Sequence, residues 1–338
     1  MIDPGLLVAA VPLPAVLIRQ DERIEAANDD ARALLGQGIV GRHFITALRQ
    51  PILLDAIEAT LRDHAPRRTR FLTNDGQQDT TFDVTCRAAG RSVLVVFQDV
   101  THLQQAGQMR RDFVANVSHE LRTPLTALMG FIETLKGPAR DDAAARDRFL
   151  GIMEGEAGRM NRLVGDLLSL SRVEADERVR PTALVDLTGI VRATVRGLEP
   201  LAEAAQITVG MDLPDPFEMR GDADQLRQVL TNLLENAIKY SGRDSSVTVR
   251  VTAPAYSAQV RAEAAELEVE DSGPGIDPIH LPRLTERFYR VDAHRSREQG
   301  GTGLGLAIVK HIVNRHRGRL RIHSTLGVGT RFRVILPV

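Results

Sequence analysis

Apolar residues recur at three- and four-residue intervals through the middle of the chain. From Phe113 to Lys136, Val114, Val117, Leu121, Leu125, Leu128, Ile132 and Leu135 form one stripe, which predicts a long helix. Gly137-Pro138 ends it. A second stripe, Phe149, Met153, Met160, Leu163, Leu167 and Leu170, predicts another helix over 143–174, with Glu156 its one charged interruption. Two such helices cannot bury a two-sided seam alone, so pairing with a second copy into a four-helix bundle is expected. The polar, helix-prone stretch 101–112 runs straight into the first helix and predicts a continuous linker.

Other periods dominate on either side. Residues 1–100 predict a small α+β domain, with strands at 15–19 and 23–27 around a turn at Asp21-Glu22. A helix capped by Asn28 or Asp29 runs to Leu35, and another spans 53–61. Three β-rich runs follow at 69–73, 80–87 and 92–99, with Gly76 and Gly90 at the turns. A charge-rich linker at 175–181, closed by proline, separates the helical hairpin, 113–176, from a last domain over 182–338. That domain alternates helices at 187–205, 223–240 and 304–316 with strands near 207–212, 246–252, 266–270, 319–324 and 330–336. The expectation is an α/β sandwich with helices on one face of a mixed sheet.

Composition narrows the classes. The 338 residues are 43% hydrophobic and 26% charged, with a formal net charge of −1. That balance gives no steering toward nucleic acid. A single cysteine, Cys86, rules out an internal disulfide, suits a reducing compartment and reads as core filler. The apolar run 6–18 is broken by Pro12 and Pro14, too short to span a bilayer and without the charged lead of a signal peptide. The expected setting is the cytoplasm, either free or as the cytoplasmic part of something longer. His43 and His64 are lone histidines, expected at surfaces or caps.

Three polar constellations carry the candidate chemistry. With Val117 on the seam, His119 falls on the opposite face, in water, with a free ring nitrogen. Glu120 follows, and Thr123 lies one turn on. A neutral imidazole beside a carboxylate can act as a nucleophile, although bare His-Glu pairs are also commonplace on helix surfaces. Pro124 has no N–H for the carbonyl of Glu120, so the helix should loosen or bend there. In the helix over 223–240, Asn232 and Asn236 share one face, which Lys239 and Tyr240 continue. Asparagine is a poor helix-interior residue. Two on one face suit a ridge toward phosphates, where an amide oxygen completes a metal shell and Lys239 offsets charge.

Asp271, at a strand end before Gly273 and Gly275, could accept a bond from an adenine amino group, or mark only a tight turn. The run Gly301-Thr302-Gly303-Leu304-Gly305-Leu306 opens a helix, where backbone N–H groups cradle polyphosphate. A dinucleotide fold would need a strand before these glycines, but the polar stretch 295–299 stands there.

Ser118–Leu125, S-H-E-L-R-T-P-L, resembles the H-box of two-component sensor histidine kinases without interruption. The run containing Asn232 and Asn236 is similar to their N-box, and Asp271–Gly275 to the D-x-G-x-G box of GHKL ATPases. Glu286–Arg290, with the basic segment up to Gly301, is similar to their F-box and mobile lid. These boxes, in order, cover about residues 110–338. Residues 1–100, leaving through Asp99-Val100-Thr101, resemble a PAS sensor domain.

The resemblance implies a multidomain α+β chain: a PAS-like domain, a dimeric helical hairpin and a GHKL-type α/β sandwich. It implies ATP–Mg²⁺ bound in the last domain, with Asn236 on the metal, and autophosphorylation of His119 with Glu120 as orienting base. Phe288 would pack the lid and Arg290 would reach the terminal phosphates. The phosphoryl group would pass to an aspartate on the receiver domain of a response regulator, and Thr123 would serve in dephosphorylating that partner. The first domain is either a packing module or a sensor of a small ligand or partner protein. The H-box context and Gly130–Leu135 are similar to those of phosphate-regulon sensor kinases, which implies phosphate-starvation signalling. Two other classes compete: a GHKL ATPase driving conformational change, which leaves His119 unexplained, and a silent scaffold, which would not need Asn236 or Gly303.

Overall fold

The computed structural model describes residues 3–74, 79–292 and 301–338. The turn expected at Gly76 and the basic stretch 295–299 lie outside them. The chain divides into two compact units, Met1–Ala115 and Asn116–Val338.

The first unit is built on a five-stranded antiparallel sheet in the order β2-β1-β5-β4-β3: β1 (Ala15–Ile18), β2 (Ile24–Ala27), β3 (Arg67–Asn74), β4 (Asp79–Ala89) and β5 (Ser92–Asp99). Alternation in β5 sends Val93, Val95 and Phe97 to one face and Leu94 and Val96 to the other. The first face packs under α2 (Asp29–Leu35), α3 (Phe44–Leu48) and α4 (Pro51–Asp63), where Phe71 meets Phe97 edge-on at 5.5 Å. Cys86 is fully buried there, and burial pushes its thiol up to about 12.

The other face is partly covered by α1 (Pro4–Ala9) through Val8. Both α1 and α3 were absent from the sequence expectation, being too short to show a period. Of the two cap candidates for α2, Asn28 holds the place. Its Oδ1 accepts the N–H of Ala31 and of Ala15, and its amide donates to Val11 and Leu13. His43 pairs with Glu22 at 2.9 Å and His64 closes α4, the surface and cap roles expected of them.

Helix α5 (Thr101–Lys136) is 36 residues long and uninterrupted across Pro124. Thus the linker and the first hairpin helix are one element. Helix α6 (Ala143–Asp176) starts at the cap Asp142, and Phe149 stacks on Phe131 of α5 at 5.3 Å. Leu125, Met129 and Ile132 on α5, and Leu150, Val164 and Leu168 on α6, are left exposed. Among the described residues no helix is long and apolar enough to cross a membrane.

Beyond the hairpin lies a mixed sheet in the order β12-β13-β11-β9-β7: β7 (Thr208–Asp212), β9 (Ser246–Val251), β11 (Ala262–Asp271), β12 (Arg319–Thr325) and β13 (Gly329–Pro337). Only β7 and β9 run parallel on this path. The short β10 (Ala255–Ser257) extends from β11, and β6 (Leu184–Asp186) pairs with β8 (Glu218–Arg220); the sequence reading contained none of the three. Helices α7 (Leu187–Ala204), α8 (Ala223–Ser241) and α9 (Gly305–Arg315) pack side by side against the sheet, as expected, with α8 in the middle.

The start of α8 is fixed by a buried histidine. His316 is 1% exposed; its Nδ1–H donates to the Ile312 carbonyl at 2.8 Å, and its Nε2 accepts the N–H of Asp222, the α8 cap, at 3.0 Å. The acceptor role of Nε2 requires a neutral ring, and burial holds the proton affinity below the ordinary 6.5. The unfolded chain takes up this proton as pH falls below 6.5 while the folded chain resists, so the contribution is full above 6.5 and lost below it. His316→Gln should cost about 1–2 kcal/mol at pH 7.5. Thermal unfolding followed by circular dichroism should show the gap to wild type narrowing toward pH 5.5.

Candidate functional site

Helix α8 has two faces set by its sequence. Leu226, Val229, Leu230, Leu233, Leu234 and Ala237 are buried, and Asn232, Asn236 and Lys239 face a cavity of about 720 Å³. Asn232 donates its amide to the Gly305 carbonyl at 3.3 Å, tying α8 to the first turn of α9. Lys239 pairs with Glu235, one turn back, at 2.9 Å. The Asn236 amide has no protein partner among the described residues. Tyr240 continues the same lining.

Asp271, 9% exposed at the end of β11, also lines the cavity. Its Oδ1 accepts the N–H of Gly273 at 2.9 Å and of Thr330 at 3.3 Å. Burial still raises its proton affinity, with the nearby Glu270 adding to the effect. A carboxylate held this way can accept a bond from an amino group on a ligand. Gly275 lines the cavity beside it at φ +71°. A Cβ there would lie 2.1 Å from the Thr325 carbonyl oxygen. The sequence reading gave Gly273 and Gly275 the role of admitting a base. The structure adds that both glycines are demanded by nearby backbone: a Cβ on Gly273 would lie 2.8 Å from Ser241 Cα, as one on Gly275 would meet Thr325.

Elsewhere the cavity is lined by Gly301, Thr302, Gly303, Gly305 and Leu306. Leu304 does not line it; it is wholly buried at the N-cap of α9 and donates its N–H to Thr302 Oγ1 at 3.3 Å. Gly303 has φ +73°, and a Cβ on it would sit 2.9 Å from Phe288 Cα. Its carbonyl accepts the N–H of Phe288, which is itself left-handed at φ +64°. Phe288 therefore braces the glycine turn through its backbone. Backbone N–H groups at the start of a helix such as α9 suit an anion. Together these groups fit a ligand with an amino-bearing ring at one end and negative charge at the other.

The hairpin residues are distributed differently. His119 is exposed on α5, and its ring has no partner among the described residues. Glu120, expected to orient that ring, has an ion-pair partner elsewhere. Its carboxylate binds Arg290 at 2.9 Å, with the two side chains 14% and 6% exposed. The guanidinium that lines the cavity is thus engaged with α5, while its buried Nε–H has no acceptor among the described residues. Thr123 donates its hydroxyl to the His119 carbonyl at 3.2 Å. The cavity lining includes neither His119, Glu120 nor Thr123.

Several lining residues escaped the sequence reading, Arg162, Asp166, Glu235 and Thr330 among them. Arg162 and Asp166 come from α6, where nothing distinguishes them from other polar positions on that helix. Glu235 was signalled only by its i, i+4 spacing to Lys239. Thr330 lies on β13, brought to Asp271 by strand register.

Comparison with known proteins agrees with this layout. Residues 109–176 match the His Kinase A (phospho-acceptor) domain, and residues 221–338 the histidine kinase-, DNA gyrase B- and HSP90-like ATPase family. The phosphate regulon sensor protein PhoR of Pseudomonas aeruginosa is 42% identical over 242 residues, 72% of this chain and 53% of that protein. The sensor protein kinase WalK of Staphylococcus aureus is 34% identical over 327 residues, 93% of this chain and 76% of that protein. The chain spans about half the length of several other relatives it matches, the PhoR protein included. Among solved structures, the histidine kinase ThkA in complex with response regulator protein TrrA aligns over 98% of this chain and 97% of that one, at TM-score 0.54 and 21% identity. The chain belongs to the sensor histidine kinases.

Proposed function

We propose that this chain autophosphorylates His119 from ATP and passes the phosphoryl group to an aspartate on the receiver domain of a response regulator. The observation that carries this reading is the pairing, within one unit, of an exposed and unpartnered histidine with a cavity whose lining suits adenine and polyphosphate. An ATPase without a phosphoacceptor has no use for the first feature, and a scaffold has none for the second.

The chain's own residues divide the work. Asp271 accepts the adenine amino group. The N–H groups of the glycine turn and Lys239 offset phosphate charge, and Asn232 keeps that turn against α8. Mg²⁺ bound with the nucleotide would neutralise charge on the polyphosphate oxygens, and the amide oxygen of Asn236, free of any protein partner among the described residues, fits a place in its shell. A ring nitrogen of His119 attacks the γ-phosphorus; the N–P bond forms and the bond to the ADP oxygen breaks. The proton on the other ring nitrogen passes to Glu120, which must first leave Arg290. Separation of that pair also frees the guanidinium for the transferring phosphoryl group. With little covalent chemistry demanded of the protein, positioning and charge supply the rate.

The rest of the reading has separate supports. Exposed apolar residues on both helices of the hairpin favour a homodimer through a four-helix bundle. The first unit's antiparallel sheet, with β5 at its centre between β1 and β4, supports a PAS-like sensor module. The likeness to PhoR favours phosphate starvation as the signal. Thr123, one turn from His119, suits the orientation of water during dephosphorylation of the regulator.

With γ-labelled ATP, wild type should acquire acid-labile, alkali-stable label, His119→Gln none, and Asn236→Ala none at any magnesium concentration tried. Label persisting in His119→Gln would overturn the acceptor. Thr123→Ala should keep autokinase within about twofold and lower phosphatase activity about tenfold or more; equal losses in both assays would contradict the division of labour. Light scattering of the full chain should return twice the monomer mass.

A further inference from the structure

Helix α6 supplies a carboxylate to the nucleotide cavity that none of this chemistry uses. Asp166 accepts a hydrogen bond from the Thr302 hydroxyl at 2.6 Å, and the same hydroxyl oxygen accepts the N–H of Leu304. A carboxylate therefore already sits beside the glycine turn, on the Thr302 hydroxyl. Among the described residues no lysine or arginine forms an ion pair with Asp166. Lys239 and Arg162 lie near enough to favour its charge and Glu235 to oppose it, while Lys239 is committed to Glu235. Burial dominates and raises its proton affinity.

The hairpin is held in this place by other ties as well. Ser169 donates to Gln228 at 2.9 Å, and Glu174 accepts from Arg287 at 2.5 Å. Beyond the end of α6, Glu177 accepts from Asn314 at 3.1 Å and meets His311 Nδ1 at 2.8 Å. The carboxylate is therefore placed by a docked helix, not by a wandering side chain.

We propose that Asp166 is a charge gate of the nucleotide site: while α6 is docked, its carboxylate holds the anion position at Thr302, so docking and seating of the terminal phosphates exclude one another. The inference rests on reading the cavity as a nucleotide site. A triphosphate brings negative charge to the turn whose Thr302 hydroxyl Asp166 already engages, and like charges that close repel. Binding then selects the undocked hairpin, in which Glu120 and Arg290 are also apart. By the same linkage, whatever favours docking lowers affinity for the nucleotide.

The test is calorimetry on the full chain with two probes, MgATP and adenosine. Asp166→Asn keeps the shape and can still accept from Thr302, but carries no charge. It should bind MgATP about tenfold more tightly than wild type, within the usual range of such couplings. Adenosine, which has no phosphate, should bind both proteins equally, and Asp166→Glu should stay near wild type with both probes. Lowering the pH should narrow the MgATP difference, as the wild-type carboxyl takes up a proton. Unchanged MgATP affinity in Asp166→Asn would overturn the gate, and weaker affinity would make Asp166 a ligand of the bound nucleotide instead. A gain shared by adenosine would replace charge with bulk. If wild type binds adenosine and MgATP not at all, the nucleotide reading fails and the gate with it.

Discussion

Helix α8 has to satisfy two incompatible neighbours. One side must be apolar enough to lie between α7, α9 and the sheet, and the other must present amides and an ammonium to an open cavity. Each buried leucine contributes about 1.5–3 kcal/mol. Each asparagine costs well under 1 kcal/mol in helix propensity. Five buried leucine or valine side chains therefore carry two poor helix formers without difficulty. The position of the whole ridge follows from there, because Asn232 is tied to α9 and the helix start is held by Asp222 and His316.

Charge, by contrast, governs how the hairpin meets this lobe. The Glu120–Arg290 pair is almost dry, and such pairs return little net stability because both partners lose water. Removing one partner is the expensive act, since it strands the other. The pair therefore selects one arrangement more than it strengthens the fold. On the proposed reading both of its members belong to phosphoryl transfer, and the docked arrangement withholds both. A second acid, Asp166, occupies the site from the same hairpin. Kinase chemistry and docking thus compete for the same few charges.

Most of the architecture was legible where periods were long. The hairpin stripes, the three helices of the last domain and the strand at 92–99 can be read from spacing alone, because many residues vote for one period. Short elements such as Phe44–Leu48 and Glu218–Arg220 hold too few residues to show one, and only tertiary packing or pairing makes them. In the site, the residues of α8, Asp271 and the glycine turn were legible because their types are unusual for their places. Asp166 was not, since an aspartate on a polar helix face looks like any solvated residue until α9 is brought beside it. The partner of Glu120 was hidden for a related reason. Sequence offered the adjacent His119, while the fold supplies Arg290, 170 positions away.

The burial of Cys86 has a practical outcome. Its thiol is out of solvent and, at a proton affinity near 12, holds almost no thiolate at neutral pH, so alkylating reagents and mild oxidants will pass it by. As no other sulfhydryl exists in the sequence, the unaltered chain is a blank background for maleimide dyes. A pair of cysteines introduced on solvent-facing positions of α6 and α9 would carry donor and acceptor fluorophores without prior removal of native ones. The distance between hairpin and lobe then becomes an optical signal that can be followed during turnover.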